Sequence, residues 1–293
     1  MFQRVIICTD FSDGIYRLAN CVPSLAAGGA KQIIFLHVIP LSDEREIPRP
    51  NPEKMQAARD RLSVALENVP NGVDVKVVVE SGKPSDHIVS TAKAHNADLI
   101  VLGMPSRNLL AEKLFGSTTM NLCQRMAIPV MTLRPQLVST YTVEELDLRC
   151  RHLFRYLLLP YDGSAPSQYL LQQVKHYAQQ PDSSLECCFL FWVVDPSGRS
   201  SAVLKESRAK EAEAKLAEAK ADLEKLGLRV ETEVRMGDPI LEVLKAAEVH
   251  DISAIASSSG SLGKLIEWSV PSFTGEILRR SWHPVIYFPP TRG

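Results

Sequence analysis

The chain has 293 residues, which at roughly 150 residues per domain points to two domains. Hydrophobic residues make up 45% and charged residues 23%, with 15 Gly and 19 Pro, an ordinary globular composition that leaves little room for long disorder or low complexity. Thirty-three Lys and Arg stand against 34 Asp and Glu for a formal charge of -1, and aromatic residues are only 6%, so neither the overall positive field of a nucleic-acid or anionic-membrane binder nor a platform for stacking single-stranded bases is expected.

The first strand-like run, RVIICTD, begins at Arg4. No basic segment, apolar segment and cleavage site precede it, so no secretory signal is expected. Strands are predicted in the first half over 5–9, 33–39, 73–80, 99–103 and 130–133. Several are continuously apolar, as parallel strands covered on both faces are. Gly82-Lys83-Pro84 follows the third strand and puts Pro in the first turn of a helix, where its missing N–H is tolerated. Residues 136–151 read as a polar linker with a helical turn between a first domain, 1–135, and a second, 152–293.

In the second half, strands are predicted over 156–160, 185–194, 229–235, 253–257 and 285–288. The most apolar stretch, 153–161, is about half the ~20 residues that a membrane-spanning helix needs. Ala209, Ala212, Leu216, Ala219, Leu223 and Leu226 recur at spacings of three and four, with Glu206–Lys210 and Glu211–Lys215 pairs outside, which predicts a long amphipathic helix. Gly237-Asp238-Pro239 repeats the Gly-x-Pro signal. Six cysteines, Cys8, Cys21, Cys123, Cys150, Cys187 and Cys188, show no C-x-x-C or zinc-ligand spacing. They read as reduced, mostly buried thiols of a cytoplasmic protein, and Cys150, in the linker, is the one singled out for a reactivity test.

The two halves are one pattern used twice. A shift of 155 residues carries Gly82 onto Gly237, Pro84 onto Pro239, His95 onto His250, Ile100 onto Ile255, Arg125 onto Arg280 and Pro129 onto Pro284. Near the start the shift is 152, matching Asp10 to Asp162 and Ser12 to Ser164. So long a period, present twice, means duplicated domains and not a solenoid. Five strands alternating with helices in each half predict two doubly wound, parallel five-stranded α/β sheets of Rossmann-like type.

In such sheets the ligand lies beyond the carboxyl ends of the strands, where strand order reverses. Thr9-Asp10-Phe11-Ser12 follows the first strand of the first half, and Val38 closes the second. After the fourth come Gly103, Ser106, Gly116, Ser117 and Thr118. Small residues let the backbone approach a phosphate, and Gly116-Ser117-Thr118 at a helix start offers free N–H groups, hydroxyls and the positive end of the helix dipole. Chemically this is an anion cradle.

The spacing Gly103-x2-Ser106-x9-Gly116-Ser117 resembles the glycine-rich signature of ATP-binding universal stress proteins, and the chain as a whole resembles a tandem of two such domains. The resemblance implies an adenine nucleotide alpha hydrolase-like fold and ATP, with Mg²⁺, as a regulatory ligand. It puts Asp10 at the adenosine, with Thr9 among the nucleotide-binding residues, Val38 at base and ribose, and the signature loop at the phosphates. Ser106 departs from the family's middle Gly. The resemblance further implies that the halves pair through their fifth strands as an intramolecular pseudo-dimer, leaves a homodimer open, and suggests output through an unknown protein partner, with no nucleic acid and no membrane involved.

The second half keeps Asp162 and Val193, but its loop positions become Ser258, Ser261, Pro271 and Ser272. Proline has a fixed φ and no N–H to donate, so this site is expected to be degenerate and the half mainly structural. Duller readings stand beside these. Asp10 and Asp162 are also good helix caps; His95 and His250 suit helix C-termini; His37 suits a core. No P-loop, dinucleotide fingerprint, zinc motif or serine elbow is present. A scaffold that binds no nucleotide and a slow ATPase remain the alternatives.

Overall fold

The structure is a computed structural model, which describes residues 1–12, 14–41, 49–104, 121–123, 125–195, 202–259 and 272–290. The chain forms two compact units, Phe2–Arg151 and His152–Gly293.

In the first unit, β1 (Arg4–Cys8), β2 (Gln32–Ile39), β3 (Asp74–Ser81), β4 (Leu99–Gly103) and β5 (Val130–Leu133) lie in the order β3-β2-β1-β4-β5, with every pair parallel. A 3₁₀ segment, Ile15–Cys21, leads into α1 (Val22–Ala27), followed by α2 (Pro52–Leu62), α3 (Pro84–Ala94), α4 (Pro135–Thr140) and α5 (Val143–Arg151). Ile6, Ile7, Ile33, Ile34, Phe35, Leu99 and Ile100 are buried, because helices cover both faces of these continuously apolar strands. Crossovers are right-handed. The connections β1 to β2 and β2 to β3 therefore put α1 and α2 on one face, and the return from β3 past β1 to β4 puts α3 on the other. The reversal falls between β1 and β4.

The second unit repeats this plan. β6 (Tyr156–Pro160), β7 (Cys187–Val194), β8 (Arg229–Met236), β9 (Ala254–Ser258) and β10 (Val285–Phe288) take the order β10-β9-β6-β7-β8, again in parallel. Its helices are α6 (Ala165–Ala178), α7 (Ala202–Glu224), α8 (Pro239–Val249) and α9 (Phe273–Arg280). On α7, Ala212, Leu216, Ala219 and Leu223 are buried, and Lys210 and Lys215 pair with Glu206 and Glu211 at 2.8 and 2.7 Å. Pro84 and Pro239 each open a helix at its first position.

The stretch 136–151, read from sequence as a linker, folds as α4 and α5 within the first unit. Leu146 and Cys150, four residues apart, are buried. Ser24 Oγ donates to Asp147 Oδ1 at 3.0 Å, and the Arg17 guanidinium donates to the carbonyls of Val138 and Tyr141. Thr142 and Glu145 cap α5 reciprocally: Thr142 N–H donates to Glu145 Oε2 at 2.8 Å, and Glu145 N–H to Thr142 Oγ1 at 3.3 Å. This capping box was the sequence signal for a full helix. Cys150 is accordingly a core thiol and not an exposed one. The neighbouring Cys21 thiol, then burial, hold its pKa well above the ordinary range, which suppresses the reactive thiolate.

Candidate functional site

Register assembles the first-unit site. Cys8 pairs with Leu36, and Ile7 with Val101. Continuing each ladder brings Asp10 beside Val38 and Thr9 beside Gly103 at the carboxyl edge, next to the reversal between β1 and β4. Thr9 N–H extends the ladder to the Leu36 carbonyl at 3.1 Å. His37 Nδ1 lies 2.8 Å from the Thr9 carbonyl oxygen; only the nitrogen can donate, so the Nδ1–H tautomer holds this turn. Phe11 then turns the chain at φ 65°, stacks 4.2 Å from the His37 ring, and lies under the Arg61 guanidinium of α2.

Asp10 is exposed. Its Oδ1 accepts from Ser12 N–H at 2.8 Å and from Ser12 Oγ at 2.7 Å, an Asx turn. These bonds use one carboxylate oxygen of an exposed side chain and leave the other able to accept, which suits a ligand hydroxyl. The capping alternative is not what the structure shows: the N-cap of the following 3₁₀ segment is Gly14, and that of α6 is Ser164.

The second unit copies the turn and differs in the residues around it. Asp162 Oδ1 accepts from Ser164 N–H at 3.0 Å and from Ser164 Oγ, and Tyr161 N–H reaches the Phe191 carbonyl at 3.0 Å. Where His37 stood there is Trp192, whose ring packs edge-on to Tyr161 at 6.0 Å. Val193 pairs with Arg235 as Val38 pairs with Glu80. Ser258, aligned with Gly103, donates its hydroxyl to the Phe288 carbonyl at 2.8 Å. Thr274 Oγ1 donates to the Ser258 carbonyl at 2.8 Å and lies 2.8 Å from Ser257 Oγ. Ser272 caps α9 by accepting from Gly275 N–H at 3.1 Å. The hydroxyls at these strand ends are tied into the unit's own structure.

Ser106, Gly116, Ser117 and Thr118, with Ser261 and Pro271, lie outside the described residues. Elsewhere, His95 and His250 are the C-cap residues of α3 and α8, and His37 is buried. Burial pushes the Cys123 thiol up to about 12. Among the described residues, no group of three or more His, Cys, Asp and Glu is arranged to hold a metal ion, and no helix is long and apolar enough to cross a membrane.

Two parallel five-stranded sheets of the same strand order, with matched strand-end turns, define a duplicated α/β protein. The sequence profile of the universal stress protein family matches residues 1–134 and 154–289, and the chain belongs to that family as a tandem of two domains. It is similar to a universal stress protein of Methanocaldococcus jannaschii, at 26% identity over 160 residues that cover 46% of this chain and 96% of that protein. Among solved structures, a universal stress protein from Archaeoglobus fulgidus matches 97% of both chains at 18% identity and a TM-score of 0.66, a likeness of fold. A universal stress protein solved in complex with cAMP matches 46% of this chain and 98% of its own at 25% identity and a TM-score of 0.32.

Proposed function

We propose that the first unit binds ATP, with Mg²⁺ as counterion, as a regulatory ligand, while the second unit keeps the fold and has lost the site. The observation that carries this reading is the contrast at the end of the fourth strand of each unit. Gly103, on the ladder position beside Thr9, brings no side chain to the strand end, whereas Ser258 in the aligned place sends its hydroxyl back to the Phe288 carbonyl. In this reading the second carboxylate oxygen of Asp10 accepts from the nucleoside, and Val38 packs at base and ribose. The phosphates take Gly103, Ser106, Gly116, Ser117 and Thr118, whose N–H and hydroxyl groups are the right donors for them.

Membership in the family supports the reading, as does the spacing of the signature residues. Mg²⁺ belongs to the nucleotide here, since oxygen ligands from phosphates usually supply much of its shell. Calorimetry with Mg-ATP, paired with mass spectrometry of any ligand released from the purified chain, tests the whole. One nucleotide per chain is expected. Two equivalent sites, or no binding at all, would overturn it.

A further inference from the structure

One hydroxyl of the first unit is buried without a hydrogen-bond partner among the described residues. Ser85, the second residue of α3, is 3% exposed, and among the described residues its Oγ has no hydrogen-bond partner. Buried hydroxyls are almost always paired, and leaving one unpaired is destabilising. A serine is a poor choice for such a place unless something else uses it.

Its position says what that is. Gly82 N–H donates to the Ile39 carbonyl at 2.9 Å, and Ser81 Oγ to the same oxygen at 3.2 Å, which ties the start of α3 to the carboxyl end of β2. The buried face of α3 is Ser85, Ile88, Val89, Thr91 and Ala92, so Ser85 looks toward the sheet. Helical Cα–Cβ bonds tilt toward the N-terminus, which directs this side chain back to the strand ends. On β2, His37 faces α2 through the Phe11 and Arg61 stack. Its neighbour Val38, on the opposite face of the strand, looks to the α3 side. The unpaired hydroxyl therefore sits on Val38's side of the sheet, at the end of the same strand. The second unit has Ile240 at the aligned position, and no hydroxyl to satisfy.

We infer that Ser85 is a ligand-binding residue of the first unit, its hydroxyl forming a hydrogen bond with the nucleoside part of the bound nucleotide. The inference rests on the nucleotide reading above and adds to it a contact on α3. The hydroxyl is enclosed in the ligand-free chain, so the nucleotide reaches it by displacing its cover, and binding supplies the bond that it otherwise lacks.

The test is calorimetry with ATP and with 2′-deoxy-ATP on the full chain, alongside thermal unfolding without ligand, for the parent, Ser85→Ala and Ser85→Thr. Ser85→Ala should bind ATP about 3- to 10-fold more weakly, the worth of one hydrogen bond. Its ligand-free Tm should be unchanged or higher, because the group removed was unpaired. Ser85→Thr keeps the hydroxyl and should retain more of the affinity than Ser85→Ala. An equal loss for both nucleotides assigns the bond to the base or the rest of the ribose; a loss confined to ATP assigns it to the 2′-hydroxyl. Parent affinity with no change in Ser85→Ala overturns the inference alone, as does a lower ligand-free Tm with unaltered affinity. Failure of the parent chain to bind ATP overturns the nucleotide reading and this inference with it.

Discussion

At the carboxyl edge of the first unit, Asp10 holds Ser12, His37 holds the Thr9 carbonyl, and β4 ends in a bare glycine. At the same edge of the second unit, Asp162 holds Ser164 in the same turn, but Ser257, Ser258, Ser272 and Thr274 engage one another and the nearby backbone. The comparison separates two jobs that one strand end can do. The aspartate turn and the Gly-x-Pro helix start are parts of the frame and survive in both units. Hydroxyls and free N–H groups are parts of a site only while nothing inside the protein takes them, and in the second unit something does.

The largest effect expected from breaking this contrast comes from Gly116→Pro, which writes Pro271 into the first half. Removing a backbone donor to phosphate should cost about 1–3 kcal/mol, roughly a 5- to 150-fold loss of ATP affinity, while Pro271→Gly leaves that affinity unchanged. Calorimetry on both variants reads it, and an unaltered Gly116→Pro would defeat the asymmetric model.

Next is Gly28→Ala, which tests the helices that follow the last strand of the first unit. A Cβ there would stand 2.9 Å from the Cys150 carbonyl oxygen and 3.0 Å from that of Arg151, and backbone cannot yield cheaply. A loss of about 1–3 kcal/mol is expected from such overpacking, seen as a lower denaturant midpoint. It should also speed labelling of Cys150 by iodoacetamide, which burial of the thiol should hold in the parent to the rate of unfolding.

Ser272→Ala and Ser117→Ala sharpen the comparison at aligned positions. The first removes the cap of α9 and should cost about 1 kcal/mol of stability with no change in ATP binding. The second should weaken ATP binding by more than it lowers Tm. Swapped outcomes would mean that the roles of the two units are reversed.

The smallest effect concerns charge on the second unit's surface. Lys175, at 2.8 Å, and Lys225, at 3.0 Å, pull the Asp222 carboxyl down to about 2. A lowered carboxylate pKa stabilises the fold above the unfolded value, 3.8, and that contribution fades as pH falls through about 2. Asp222→Asn should remove this part of the acid dependence, and added salt should mute the difference. Parallel acid titrations of parent and variant by circular dichroism would show it.

Much of this could be read from residues alone. Continuous apolar runs marked the strands, and β4, β5, β6 and β10 begin and end where the pattern does, because Gly, Pro and charged residues bound them sharply. The 3 and 4 spacing on α7 marked its buried stripe. The helix α5 was hidden because Leu146 and Cys150 are too few to look amphipathic, although Thr142 and Glu145 announced its start. Of the candidate site, Asp10, Val38 and Gly103 were legible by place in the repeat. Ser85 was not, since a serine in the first turn of a helix is ordinary until its burial and missing partner are known.

The pair α4 and α5 also bears on how the protein is made. Synthesis proceeds at roughly 5–20 residues per second from the N-terminus, and the surface of α1 stays uncovered until Leu146 and Cys150 have emerged from the ribosome. Two repeats of equal strand order in one nascent chain invite exchange of strands between them, a characteristic failure of repeat proteins. A closing element that precedes every strand of the second repeat lets the first repeat finish before those strands emerge. In the growing chain it works as a full stop between two similar sentences.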